Sequence, residues 1–148
     1  MRREPRIVHI AVGGVFLFGL DQGLKFLAME NPEFRSYLIR PWLGWEYFEN
    51  TGIAFSLPFP NLLLIIVTPL LLGFMLRAIV RETHAPRPRT LLGTQLLFFG
   101  ALSNFIDRLR FGATIDYIRV ATSVVNLADI MIVLGVLLLL IRDKKSTA

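Results

Sequence analysis

The sequence predicts an all-α membrane protein in which four transmembrane helices carry a small extracytoplasmic sheet between helices 1 and 2. Three observations lead there. Hydrophobic residues make up 54% of the 148-residue chain and charged residues only 18%, which leaves too few polar side chains to cover the outside of a soluble domain. The apolar residues collect in four runs, each close to the ~20 residues that cross a bilayer core as a helix. The 16 Lys and Arg, set against 11 Asp and Glu, fall in short clusters between those runs. That is the pattern of membrane flanks, not of a nucleic-acid surface.

The runs are Ile7–Ala28, Asn61–Ile79, Leu91–Phe111 and Asn126–Ile141, within a single membrane domain over 1–148. MRREPR followed by IVHIAVGGVFLFGL is built like a cleavable signal peptide. DQGLKF follows in place of a small-x-small site, however, so a retained helix is expected. Arg2, Arg3 and Arg6 precede this run; Arg77, Arg81, Arg87 and Arg89 lie between the second and third; Arg142, Lys144 and Lys145 follow the fourth. The positive-inside rule therefore puts both termini in the cytoplasm, as an even number of spans requires. Residues from about 29 to 60 then face outward. They mix β-favouring Tyr37, Leu38, Ile39, Trp45, Tyr47, Phe48, Ile53 and Phe55 with Pro and Gly, which predicts a sheet lying on the membrane. Trp42, Trp45 and Tyr47 suit an interfacial aromatic belt. A shorter outer connection containing Asp116 joins the third and fourth runs, and RETHAPRPRT reads as a linker. With no cysteine, the chain has no disulfide, no thiolate metal site and no cysteine nucleophile, and is not itself a lipoprotein precursor.

Polar groups are costly in hydrocarbon unless they face a cavity or one another, so chemistry is sought where they interrupt the runs. Asp21 and Lys25 lie four apart on one helical face, acid before base; a structural ion pair and a site component are both open readings. Asn50-Thr51-Gly52 closes the long outer segment and reads locally as a turn. Asn104, Asp107 and Arg108 share a helical face, which fits a headgroup anchor or a site. Asn126 and Asp129 form a capping pair at the start of the fourth run. Asp116 caps nothing, yet the short outer connection lets it fold back beside Asp129.

Two carboxyl groups in one poorly solvated site do not both ionise, so one stays protonated near neutral pH. The anionic partner can activate water against an amide carbon while the protonated one hydrogen-bonds the carbonyl oxygen. A helix N-terminus favours the anion at Asp129, which points to Asp116 as the holder of the proton. Other hydrolytic plans fit poorly. There is no HExxH, and His9 and His84 are both predicted at the cytoplasmic side. No serine sits in a GxSxG setting; Ser56 and Ser103 read as packing or hydrogen-bonding residues. Glycine-rich phosphate loops are missing, and neither a metal nor an organic cofactor is expected.

DQGLK, ENTGIAF, GALSNFIDRLRFGATIDYI and VVNLADIMIVLG, in that order from Asp21 to Gly135, resemble the motifs of bacterial lipoprotein signal peptidase, or signal peptidase II. The resemblance implies an aspartic endopeptidase of the bacterial inner membrane that cuts prolipoproteins just before a diacylglyceryl-modified cysteine. Its implied fold is four membrane helices with an extracytoplasmic β-cradle. It implies Asp116 and Asp129 as the catalytic pair, Asn50 and Arg108 as substrate-backbone contacts, and Asn104 and Asn126 as polar supports of the substrate site. Asp107 is implied as the partner of Arg108, and Asp21 with Lys25 as a buttress at the end of helix 1. The implied partners are the lipidated precursors and membrane lipids, with no nucleic acid, and the chain is expected to act as a monomer. Ser103 stands where the family commonly has Gly, TIDY replaces the more usual VVDF, and the stretch from Asp116 to Asn126 is short for the family. The competing reading is a non-catalytic membrane protein, a transporter subunit or assembly factor, whose acids are only caps and ion pairs.

Overall fold

A computed structural model describes residues 4–53, 57, 59–84 and 87–141, with the side chains of 4–7, 83 and 84 outside that description. Arg2, Arg3, Phe55, Ser56, Arg142, Lys144 and Lys145, and the side chains of Arg6 and His84, lie outside the described residues.

Each apolar run is helical: α1 spans Glu4–Glu30, α2 Asn61–His84, α3 Pro88–Phe111 and α4 Leu127–Leu140. In α1 the stretch Val8–Glu30, and in α2 the stretch Asn61–Glu82, are long and apolar enough to cross a membrane. The 14 residues of α4 are apolar but fewer. Pro88 suits the first turn of α3, where no N–H is needed. Gly112 ends that helix in the left-handed region (φ 75°) and its N–H donates to the Arg108 carbonyl, a stop that glycine makes without strain. The chain then turns directly into a strand.

Polarity is arranged inside out. Phe16, Leu62, Leu70 and Phe74 point outward, whereas Asp21, Lys25, Ser103, Asp107, Asp116 and Asn126 are buried. An apolar exterior suits lipid, where backbone polar groups are satisfied within helices and the exposed side chains need no water. Helix α4 packs chiefly on α3 through glycine. A Cβ on Gly100 would lie 2.6 Å from the Ala128 carbonyl, and one on Gly135 2.7 Å from the Gly93 carbonyl, so the backbones approach as small-residue membrane interfaces allow.

The sheet differs from the sequence-based expectation. It has four antiparallel strands in the order β1 (Arg35–Ile39), β2 (Leu43–Asn50), β3 (Thr114–Val120), β4 (Ser123–Val125). Only half therefore comes from between α1 and α2; the α3–α4 connection supplies the rest. Its β-branched residues Thr114, Ile115, Ile118, Val120, Val124 and Val125 have the composition of strands, and β2 offers them an edge. The β2–β3 register slips between Trp45↔Ile118 and Phe48↔Asp116. This bulge sits beside Asp116, and bulges re-aim the side chains next to them.

Candidate active site

Asp116 stands mid-strand in β3, opposite Phe48, and is fully buried. Two side-chain amides donate to its carboxyl: Asn50 Nδ2 to Oδ2 at 3.1 Å and Asn126 Nδ2 to Oδ1 at 2.6 Å. Burial and, after it, the charge of Asp129 push Asp116 up to about 7; these amide bonds and Lys25 oppose the rise.

Asp129 is held one helical turn into α4. Asn126 is the N-cap: its side chain accepts from the Asp129 N–H at 2.8 Å, and the Asp129 carboxylate accepts from the Asn126 N–H at 3.5 Å. The reciprocal capping box read from the sequence is present. Asn104 of α3 donates its Nδ2 to Asp129 Oδ1 at 2.8 Å, while its Oδ1 accepts from Asn126 Nδ2 at 3.1 Å. Two asparagine amides thus link the acids, Asp116 through Asn126 and Asn104 to Asp129.

Arg108 is buried and fixes the loop after β2. Its Nη2 donates to the Gly52 carbonyl at 2.6 Å and its Nη1 to Asn61 Oδ1 at 3.0 Å. Asn50 closes the same turn by accepting from the Gly52 N–H at 3.0 Å. The turn expected at Asn50-Thr51-Gly52 exists, and its first residue also reaches Asp116. A cavity of about 230 Å³ lies between α2, α3 and α4 below the sheet. Asn50, Asn104, Arg108 and Asp129 give its polar lining, and Ile53, Phe105, Ile132 and Val133 are among its apolar lining residues.

Asp107 is a correction. It does not pair with Arg108; its Oδ2 lies 2.7 Å from Lys25 Nζ and accepts from the Ile115 N–H at 3.3 Å. Lys25 is shared, standing 2.8 Å from Asp21 Oδ2 and donating to Asn104 Oδ1 at 3.0 Å. The ion pair expected within α1 is therefore one edge of a buried cluster that reaches the Asp129 side of the site. Three members were not singled out as site residues. Gln22 donates to Ser103 Oγ at 2.8 Å and Asp107 Oδ1 at 3.1 Å. Ser103 donates to Asp21 Oδ2 at 2.6 Å, so its reading as a hydrogen-bonding residue holds. Tyr117 donates to Asp21 Oδ1 at 2.9 Å and accepts from the Leu127 N–H at 3.1 Å; burial and the Asp21 charge raise its pKa, so it remains a neutral phenol. Asp21 also accepts from the Ala128 N–H at 3.1 Å, capping α4 from a different helix. Gln22 beside Asp21 in an apolar run, and a tyrosine after Asp116, were the available signals.

Among the described residues no group of three or more His, Cys, Asp or Glu is placed to hold a metal ion. What the arrangement offers is one buried carboxyl biased to keep its proton, linked through two asparagines to a second that is anchored at a helix N-terminus and lines a half-apolar cavity.

The family described as Signal peptidase (SPase) II matches residues 14–143. A lipoprotein signal peptidase of Halothermothrix orenii is 37% identical over 139 residues, covering 91% of this chain and 93% of that protein. One from Bartonella henselae is 34% identical over 141 residues, with coverage of 89% and 86%. A solved structure described as a bacterial membrane enzyme is similar with a TM-score of 0.73 and 26% identity, covering 95% of this chain and 94% of that one. On the strength of this match along its length, the chain belongs to the signal peptidase II family, whose members are membrane aspartic peptidases.

Proposed function

We propose that this chain removes signal peptides from prolipoproteins in the bacterial inner membrane, hydrolysing the peptide bond just before a diacylglyceryl-modified cysteine with Asp116 and Asp129. The observation that carries the reading is a buried acid, Asp116, joined through Asn126 and Asn104 to a half-buried one, Asp129, at a cavity that Asp129 lines. Asp129, anionic at the start of α4, takes a proton from water as its oxygen bonds to the scissile carbonyl carbon. Asp116, protonated, hydrogen-bonds the carbonyl oxygen and stabilises the charge that develops there. Collapse of the tetrahedral intermediate breaks the C–N bond, and the proton on Asp129 passes to the leaving amine. No step calls for a metal or an organic cofactor.

Asn50 covers Asp116 in this structure, so admitting a carbonyl requires the Asn50–Gly52 turn to give way. Arg108 holds that turn through Gly52. This supports assigning both residues to substrate backbone, with Asn104 and Asn126 supporting the acids and Asp21, Lys25 and Asp107 as the buttress beneath. The whole chain, 1–148, is read as one membrane domain crossing four times, at about 7–28, 61–79, 91–111 and 126–141, with both termini cytoplasmic and the sheet outside. Its outward apolar faces on α2 to α4 suit the acyl chains of the substrate, Trp45 and Phe48 of the sheet suit a cover for the peptide, and the chain acts as a monomer.

The test is cleavage of a lipidated precursor peptide by purified Asp116→Asn and Asp129→Asn. Each variant is expected to fold and to lose turnover by at least ~10³-fold, while the wild type is indifferent to chelators. Wild-type turnover in either folded variant refutes the acid pair.

A further inference from the structure

The opposite ends of α2 and α3 from the acids enclose a second cavity, of about 450 Å³. Arg77, Arg81 and Arg87 line it together with Phe74 and Ala78. Glu82, its one acid, is buried and already taken: its carboxylate accepts from Arg87 Nε at 3.1 and 3.2 Å, from the Arg87 backbone N–H at 3.1 Å, and from Arg87 Nη2. Arg77 and Arg81 have no carboxylate within ion-pair distance among the described residues. They lie four residues apart on one face of α2, where like charges repel. An anion between two forked guanidinium groups removes that repulsion and fits their geometry.

We infer that this cavity binds the phosphate of an anionic glycerophospholipid, with Arg77 and Arg81 on the phosphate oxygens and Phe74 and Ala78 against the glycerol and first acyl carbons. Three features select that ligand. The cavity is amphipathic, and Phe74 leads outward onto the exposed apolar surface of α2 at Leu70 and Leu71, a track for an acyl chain that free phosphate does not need. A zwitterionic headgroup carries an ammonium that wants a carboxylate, and Glu82 is saturated by Arg87. Three guanidinium groups against one carboxylate leave an excess of positive charge that an anionic lipid neutralises. The inference is independent of the hydrolytic reading, since none of these residues belongs to the acid site.

The full chain, purified in neutral detergent, is titrated with short-chain phosphatidylglycerol and with phosphatidylcholine of the same chains, and bound lipid is read by native mass spectrometry. Phosphatidylglycerol is expected to bind at least ~5-fold more tightly, and Arg77→Gln/Arg81→Gln to weaken it on the order of 20-fold while phosphatidylcholine is unchanged. Arg2→Gln/Arg3→Gln, with the same loss of charge, is expected to bind like wild type. Equal affinity for the two lipids, or an equal loss in the Arg2/Arg3 control, overturns the proposal. Displacement of phosphatidylglycerol by millimolar inorganic phosphate assigns the cavity to free phosphate and overturns it too. If the glutamine variant does not fold, Arg77→Lys/Arg81→Lys answers instead: loss of the fork weakens phosphatidylglycerol severalfold, and undiminished binding refutes the site.

Discussion

Asn126 serves four neighbours with one side chain: it caps α4 by accepting from Asp129, and it donates to Asp116, to Asn104 and to the Ile115 carbonyl. These duties separate experimentally. Serine keeps the capping oxygen but neither amide donor, so Asn126→Ser and Asn126→Ala are expected to lose turnover alike, by at least ~10-fold. Thermal unfolding should still separate them, serine being the more stable by about 1 kcal/mol. The proton of Asp116 gives a second expectation. Its carboxyl is pushed up to about 7, and the acid form is the one the proposed reaction uses, so turnover is expected to fall as pH rises through that value. A kcat/KM profile that stays flat from pH 6 to 9 contradicts the assignment of Asp116 as the acid. At this scale the candidate site was largely legible, because Asp21, Asn104, Asp107, Asn126 and Asp129 are polar interruptions in apolar sequence. Asp107 was misread by adjacency. Consecutive residues on a helix point about 100° apart, so Asp107 faces Lys25 on α1 while Arg108 faces the Gly52 turn.

Elements explain why residues far apart in the sequence meet. Gly100 lets α3 touch the first turn of α4, the turn that bears Asp129. Gly100→Ala puts a methyl against the Ala128 carbonyl, so a cost of about 1–3 kcal/mol is expected, together with a turnover loss of at least ~10-fold as Asp129 moves from its position. Unfolding in detergent and the peptide assay read the two effects. Lys25 joins α1 to α3 inside the protein, and Lys25→Met leaves Asp21 and Asp107 buried without a cation. That change is expected to destabilise by about 3–5 kcal/mol, measured by the same melt. The i,i+4 rule found the Asp21–Lys25 contact because it lies within one helix. The shared bond to Asp107, the Tyr117 hydroxyl on Asp21 and the second half of the sheet all join segments far apart in the chain. Strand composition identifies a strand but not its partner, which is why β3 and β4 were read as a connection.

The whole molecule turns apolar helix faces outward, buries one cluster of charges and leaves others exposed, Arg35 and Arg40 near the sheet and Arg77, Arg81 and Arg89 at the opposite end, so its orientation is testable by chemistry at its exposed polar ends. The chain contains no cysteine, so single replacements report without background. With a membrane-impermeant maleimide on intact spheroplasts, Ser36→Cys on β1 is expected to label, and Arg89→Cys at the start of α3 to label only after lysis; the reverse pattern inverts the proposed topology. The helical architecture was legible from hydropathy alone, because lipid-facing helices advertise themselves in every turn, whereas a sheet of short strands at the interface does not. One consequence concerns the order in which the chain is made. The capping oxygen of Asp21, the amide of Asn50 and the buttress of Lys25 emerge early, while Asp116 and Asp129 emerge only after α3. A ribosome that has finished the first three helices has therefore built a receptacle without a reagent: under the proposed mechanism, the nascent protein is chemically silent until α4 is made and brings Asp129 to Asp116.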